Sequence, residues 1–311
     1  MSESNTELKR TLGPIMLWGL GVGYVISGMY FGWNLGLPEG GTGGLAIATL
    51  FITLMYITFT FSYTELACAI PRAGGAFDYA FRALGRRGGF IGGMAQNIEF
   101  IFAPPAIAFA IGDYAHLFLA GVPSLVIAII AYLIFTGINI YGVQAAASFE
   151  LLVTVVAVGG LLMFAGVALP EFEFSNLQHN AFPNGMGGIF AAIPAAIWFY
   201  LAIEGVANVA EETINPQRNV MIGFGSAILT LVVLCILTFT SSIGASGWET
   251  VVYPSGEALT GPDGDLITSD SPLPLALAHI AGEGSWPHQL ITIIGLFGLV
   301  ASFHGIWSAD L

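Results

Sequence analysis

The chain is short of charge. Of its 311 residues only 9% are Asp, Glu, Lys or Arg, and only 7 are Lys or Arg. Soluble domains carry about 25% charged residues, so a soluble globular domain is excluded. A net charge of −13 leaves no cationic surface of the kind nucleic-acid binding requires. The 2 cysteines, Cys68 and Cys235, both fall in apolar runs; no disulfide framework is expected, and redox compartment is left open. His116, His179, His279, His288 and His304 are scattered without metal-ligand spacing, so neither metal nor cofactor is expected. Gly19-Leu20-Gly21 begins like a dinucleotide fingerprint, but Tyr24 stands where its last glycine belongs, and no Walker pattern is complete. The opening MSESNTELKRTLG has no apolar core and no small-residue cleavage site. No signal peptide is expected, and the first apolar run stays in the mature protein.

What the chain does have is apolar length. Hydrophobic residues make up 56% of it, in recurring runs long enough to cross a ~30 Å hydrocarbon core. Hydropathy predicts about eight spans, near 14–37, 44–69, 89–120, 123–143, 147–169, 187–209, 220–245 and 287–308. Threading them alternately puts every base on one side: Lys9 and Arg10, then Arg72, Arg82, Arg86 and Arg87, then Arg218. The opposite loops hold Glu39, Glu171, Glu173, Glu249, Glu257, Asp263, Asp265, Asp270 and Glu283, and no base. The positive-inside rule then predicts a multi-pass protein of the plasma or inner membrane with a cytoplasmic N-terminus. The acidic loop 246–286 reads as a solvated surface. With no linker or low-complexity segment, 1–311 reads as one transmembrane domain.

The first span is loaded with helix breakers. Residues 19–36, GLGVGYVISGMYFGWNLG, contain six glycines, each about 1 kcal/mol worse than alanine in a helix. Gly19, Gly23, Gly32 and Gly36 suit close helix packing. Ser27-Gly28, midway along, suits an unwound segment exposing backbone to a ligand. Span one alone leaves both readings open. Span six adds Glu204-Gly205 in its apolar part, beside Trp198, Phe199 and Tyr200. An acid in the bilayer costs about 2.5–3.5 kcal/mol, and such residues line cavities or pair. Interrupted helices in corresponding positions of two halves point to a transporter site.

The motifs carry a family resemblance. Ile26-Ser27-Gly28-Met29-Tyr30-Phe31 resembles the IGSGIF break of the amino acid–polyamine–organocation (APC) superfamily. Pro71-Arg72-Ala73-Gly74-Gly75-Ala76-Phe77-Asp78-Tyr79 resembles its PRAGGxYxY loop. Trp198 through Glu204, then Glu211-Glu212 and Asn215-Pro216-Gln217-Arg218-Asn219, resemble its FxYxGxE…EExxNPxRN segment. Within the superfamily, Gln96-Asn97-Ile98-Glu99 through Pro104-Pro105 in span three looks most like the ethanolamine permeases.

The resemblance implies an all-α integral membrane protein of the five-helix inverted-repeat fold, broken in spans one and six. It implies a secondary transporter, not an enzyme, importing a small amine, most simply ethanolamine, by alternating access with proton coupling or exchange. An amino acid permease or antiporter is the alternative, and a non-transporting membrane sensor a lesser one. The implied substrate site is Ile26, Ser27, Gly28, Met29, Trp198, Tyr200, Leu201, Ala202, Glu204 and Gly205, with Trp198 as gate. Carbonyls freed at the breaks, with Glu204 and Glu99, would pair with an ammonium. Some relatives carry a lysine in span five that 147–169 lacks, which leaves the coupling ion open; Glu204 is the expected proton carrier, since burial favours a carboxyl's protonated form.

Lesser readings complete the set. Glu99 could instead pair with a base or backbone group, and Pro104-Pro105 could be a plain kink. Glu150 and Asp113-Tyr114 read as interfacial, and Ser302 and His304 either face the site or serve packing. Loop 70–89 is similar to the GxxxDRxGRR loop of the major facilitator superfamily, but its spacing fails, as Arg does not follow Asp78. The family has ten to fourteen spans, so the abrupt ending Ile306-Trp307-Ser308-Ala309-Asp310-Leu311 predicts that C-terminal spans are missing.

Overall fold

The computed structural model describes residues 10–119, 121–139, 143–261 and 264–309; Lys9 and Asp263, placed above in opposite loops, lie outside them. The elements named in it are all helical: α1 (Pro14–Tyr30), α2 (Leu37–Ala69), α3 (Gly75–His116), α4 (Ser124–Asn139), α5 (Val143–Ala168), α6 (Phe174–Gln178), α7 (Gly185–Ile197), α8 (Gly205–Asn208), α9 (Pro216–Ser246), α10 (Glu249–Val252), α11 (Pro272–Ala281) and α12 (Trp286–Ala309). Short 3-10 turns occupy Trp33–Gly36, Leu169–Glu171 and Ala210–Glu212. Among the described residues, five segments are long and apolar enough to cross a membrane: Trp33–Ala69, Gly75–His116, Ser148–Glu171, Pro216–Ser246 and Trp286–Ile306. The outward faces carry exposed Leu50, Phe51, Leu54, Phe90, Ile91, Phe102, Leu133 and Leu229. Water would penalise so large an apolar exterior; lipid tails do not. The protein is a multi-pass membrane protein.

The helices under the expected spans one, four and six are shorter: α1, α4 and α7, of 17, 16 and 13 residues. Helices α1 and α7, of 17 and 13 residues, rise about 26 and 20 Å, less than the ~30 Å core. Both end because the chain unwinds. After α1, Phe31 is extended and Gly32 takes φ 86 before the 3-10 turn. After α7, residues 198–204 form a run of turns before α8.

Two expectations about local structure are corrected. The unwinding expected at Ser27-Gly28 lies at Phe31–Gly32, because Gly32 supplies the positive φ while α1 stays helical through Tyr30. The segment 75–84, expected as loop, is helical, and α3 turns sharply at Gly85 (φ 74, ψ −166). α3 then runs on through Pro104 and Pro105.

Hydrogen bonds gather the connecting segments at two ends. Thr11 and Leu12 donate backbone N–H groups to Glu212, and Ile214 donates to Leu12. The chain start, with Arg10, is thereby tied to the segment before Arg218. At the other end, Gly43 donates to Ala181, Glu173 to Gly244, and Asn34 Nδ2 to Ser269 O at 2.7 Å. The segment 246–286 is therefore more than the solvated loop expected. It buries Val251, Val252, Tyr253, Leu273 and Leu277, and docks on the turn after α1. There Asp270 is pushed above the usual carboxylate range, first by burial and then by Asp113.

Candidate functional site

The two unwound segments interlock. A Cβ at Gly28 would meet the Trp198 carbonyl oxygen at 1.6 Å, and one at Gly32 would meet the Trp198 ring at 2.8 Å. Glycine is required at both because the start of the span-six break lies directly on span one. Phe31 packs on Trp198 (centroids 4.7 Å), and Trp33 stacks on Phe199 at 5.5 Å. The Ser302 hydroxyl enters the helical ladder of α1. Ser27 N–H donates to it at 2.9 Å, and it donates to the Gly23 carbonyl at 2.6 Å. A side chain inserted between such i, i+4 partners is a recognised source of helix distortion. Tyr114, read as interfacial, is fully buried and donates to the Tyr30 carbonyl at 2.7 Å. It satisfies an orphan carbonyl where α1 stops.

The break in span six centres on a strained residue. Ala202 has φ 72, a left-handed conformation that costs an L-residue about 1–2 kcal/mol. Its N–H donates to Glu99 Oε1 at 3.2 Å. Glu99 and Glu204 lie within electrostatic reach of each other and line one cavity. Two carboxylates sharing a site disfavour double ionisation, so a single shared proton is the expected state. Ala202→Gly is expected to stabilise the fold by about 1 kcal/mol by removing the left-handed penalty. The check is the thermal midpoint in detergent; an unchanged or lower midpoint would contradict the assigned strain.

The acid pair opens into a cavity of about 350 Å³ between α2, α3 and the span-six break. Its wall on α2 is aromatic: Tyr56, Phe59 and Tyr63, with Met55, while Gln96 comes from α3. A ladder of rings runs along it. Tyr200 stacks on Tyr56 (5.4 Å), Tyr56 meets Phe59 (5.8 Å), Phe59 meets Tyr63 (4.4 Å), and Tyr63 meets Tyr79 edge-on (5.5 Å). The Tyr200 hydroxyl is held by Thr53 Oγ1 at 2.7 Å. Tyr79 belongs to the PRAGGAFDY loop, and that loop is clamped to the site. Ala76 N–H donates to Gln96 Oε1 at 3.2 Å, and Gln96 Nε2 donates to Asn208 Oδ1 at 3.3 Å. Gly75, at φ 46, has Asn208 Oδ1 where a Cβ would sit, at 2.4 Å.

The span-six break and the PRAGGAFDY segment therefore meet at an acid pair, Glu204 buried and Glu99 half-buried, and comparison with known proteins names the scaffold. A family model described as amino acid permease matches residues 12–304. This chain belongs to the amino acid permease family, within the APC superfamily. An uncharacterized transporter of Rhizobium meliloti is 28% identical over 78% of the chain and 54% of that protein. The methylthioribose transporter of Bacillus subtilis is 27% identical over 74% of the chain and 54% of the relative. The vacuolar cationic amino acid transporter 2 of Arabidopsis thaliana is 27% identical over 96% and 48%. The chain spans about half the length of these curated relatives.

In this permease the residues expected to bind substrate fall into two groups. Ile26, Ser27, Gly28 and Met29 are buried in α1, with Gly28 against Trp198. Trp198 and Leu201 are half-buried, and Tyr200, Ala202 and Gly205 are buried; a Cβ at Gly205 would meet the Tyr24 ring at 2.8 Å. Of the expected set, only Glu99 and Glu204 line the 350 Å³ cavity. The sequence reading missed Tyr56, Phe59, Tyr63 and Gln96. Tyr56, Phe59 and Tyr63 follow helical spacing along one face of α2, which was the available signal. Three further readings are corrected. Glu150 is buried within the bundle, not interfacial, and His304 and Ser302 are specific partners of spans five and one.

Proposed function

We propose that this permease is a secondary transporter of a small organic cation, most simply ethanolamine. The observation that carries the reading is the cavity built from one acid pair and three aromatic rings. Glu99 and Glu204 sharing one proton leave a net charge of −1, which a single ammonium neutralises. Tyr56, Phe59 and Tyr63 supply ring faces, each worth about 0.5–2 kcal/mol to a desolvated cation. None of the residues lining the cavity is basic, so an amino acid's carboxylate would find no full charge there. The proton held by the pair is the natural species to exchange with the substrate. The interlocked breaks at Phe31–Gly32 and 198–204 supply the hinge for alternating access, with the base-bearing end of the bundle facing the cytoplasm. A cationic amino acid is the second reading, favoured by the relative from Arabidopsis thaliana.

Equilibrium binding of radiolabelled ethanolamine to the purified protein, challenged with lysine and leucine, tests the assignment. Displacement by unlabelled ethanolamine alone supports it, displacement by lysine moves the substrate to the second reading, and the absence of binding contradicts both. Tyr56→Leu is expected to weaken binding about 2- to 30-fold, the range of one cation–π contact. Tyr56→Phe, which keeps the ring, is expected to leave it nearly unchanged. Equal loss in both variants would mean that the hydroxyl, not the ring face, matters.

A further inference from the structure

A second pair of ionisable groups lies outside the cavity. Glu150 of α5 and His304 of α12 are each 1% exposed, with His304 Nδ1 3.4 Å from Glu150 Oε2. The approach lacks hydrogen-bond geometry, and among the described residues neither Glu150 oxygen and neither His304 nitrogen has a hydrogen-bond partner. Room for the carboxyl is made by glycines on two sides. A Cβ at Gly23 of α1 would lie 2.3 Å from Glu150 Oε1, and one at Gly305 of α12 would lie 3.1 Å from it. The pair therefore sits where α1, α5 and α12 meet. The same stretch of α1 is held by Ser302 on Gly23 and by Thr154 Oγ1, which donates to Gly19 O at 3.2 Å.

Buried polar atoms without partners are costly, and a buried charge without one more so. With one proton between them, Glu150 and His304 are neutral as a unit, either as acid and imidazole or as ion pair. Loss of that proton leaves an uncompensated carboxylate in the dry junction, which is tolerable only if the helices part and water enters. Tyr24 is the titratable group facing the pair from α1, within electrostatic reach of Glu150 and of Glu212. On the other packed helices, α9 carries Arg218 in its first turn, α3 carries Glu99 bonded to Ala202, and α4 carries Tyr132 against Phe303. Phe149 meets the His304 ring edge-on at 5.6 Å.

We propose that Glu150 and His304 form a proton-binding site that locks the helical half of span one against α5 and α12, and frees it when the proton leaves. The ligand is the proton itself, passed to water entering between the three helices. The site is separate from the Glu99–Glu204 cavity and acts on span one, whereas that cavity acts on span six.

The test is amide hydrogen exchange of residues 14–30 in the purified protein without substrate, followed against pH. Protection factors corrected for intrinsic exchange are expected to fall about tenfold per pH unit across the range in which the pair loses its proton, the slope for one proton. Glu150→Gln keeps the shape and removes the carboxylate that deprotonation would strand, so the loss of protection with rising pH should disappear. His304→Gln, should the first variant fail to fold, is expected to move the midpoint of the transition. Protection that does not vary with pH in the wild type, or that varies identically in both variants, overturns the proposal. Because no substrate is used, failure here is distinguishable from failure of the amine assignment.

Discussion

Gly28→Ala is expected to abolish substrate binding while leaving the protein inserted in the membrane. The added methyl would sit 1.6 Å from the Trp198 carbonyl oxygen and 2.5 Å from its carbon. Both are backbone atoms, so no rotamer change relieves the overlap. Carbon contacts settle at about 3.5–4.0 Å, so α1 and the span-six break must separate by roughly 2 Å. Overpacking of this kind costs about 1–3 kcal/mol, at a junction that also carries the strained Ala202. Gly159→Ala is the matched control, because a Cβ there meets nothing within 4 Å. Membrane-fraction yield, thermal midpoint and ethanolamine binding should separate the two variants: Gly159→Ala close to wild type, Gly28→Ala inserted but destabilised and without binding. Normal binding by Gly28→Ala would show that contact between α1 and the span-six break is not needed for the site.

Glu204→Gln carries the second large effect. The amide fits the space of the carboxyl and keeps a donor toward Glu99, so the fold should survive. Glu99 then keeps the site's single negative charge, but the proton that the pair shared can no longer be exchanged. Ethanolamine affinity should therefore stay within about tenfold of wild type, about 1.4 kcal/mol, while proton-driven uptake is lost. Proton-driven uptake that survives in Glu204→Gln would remove Glu204 as the proton carrier.

Some of this architecture could be read from composition alone. Glu204 stands out because an acid in an apolar run demands a compensating structure, and it lies at the span-six break as expected. The span-one break was legible only approximately. Gly28 and Gly32 are the same residue type used for different ends: Gly28 for a close approach of backbone, Gly32 for a positive φ. Nothing local to either position tells these uses apart. Tyr56, Phe59 and Tyr63 share the periodicity of any buried helix face, so their role emerges only once α3 and the span-six break are placed beside them. Glu150 and His304 each read as incidental, since their meeting is a tertiary fact that requires Gly23 and Gly305 to clear the space. Ser302 was hidden in the same way, as its partners are the backbone of a helix far away in sequence.

The measurement that tests the central claim most directly is uptake of radiolabelled ethanolamine into proteoliposomes under an inward proton gradient, compared between wild type and Glu204→Gln and challenged with unlabelled amino acids. The account predicts wild-type uptake blocked by ethanolamine and not by amino acids, and none in Glu204→Gln. Uptake that persists in Glu204→Gln would contradict it.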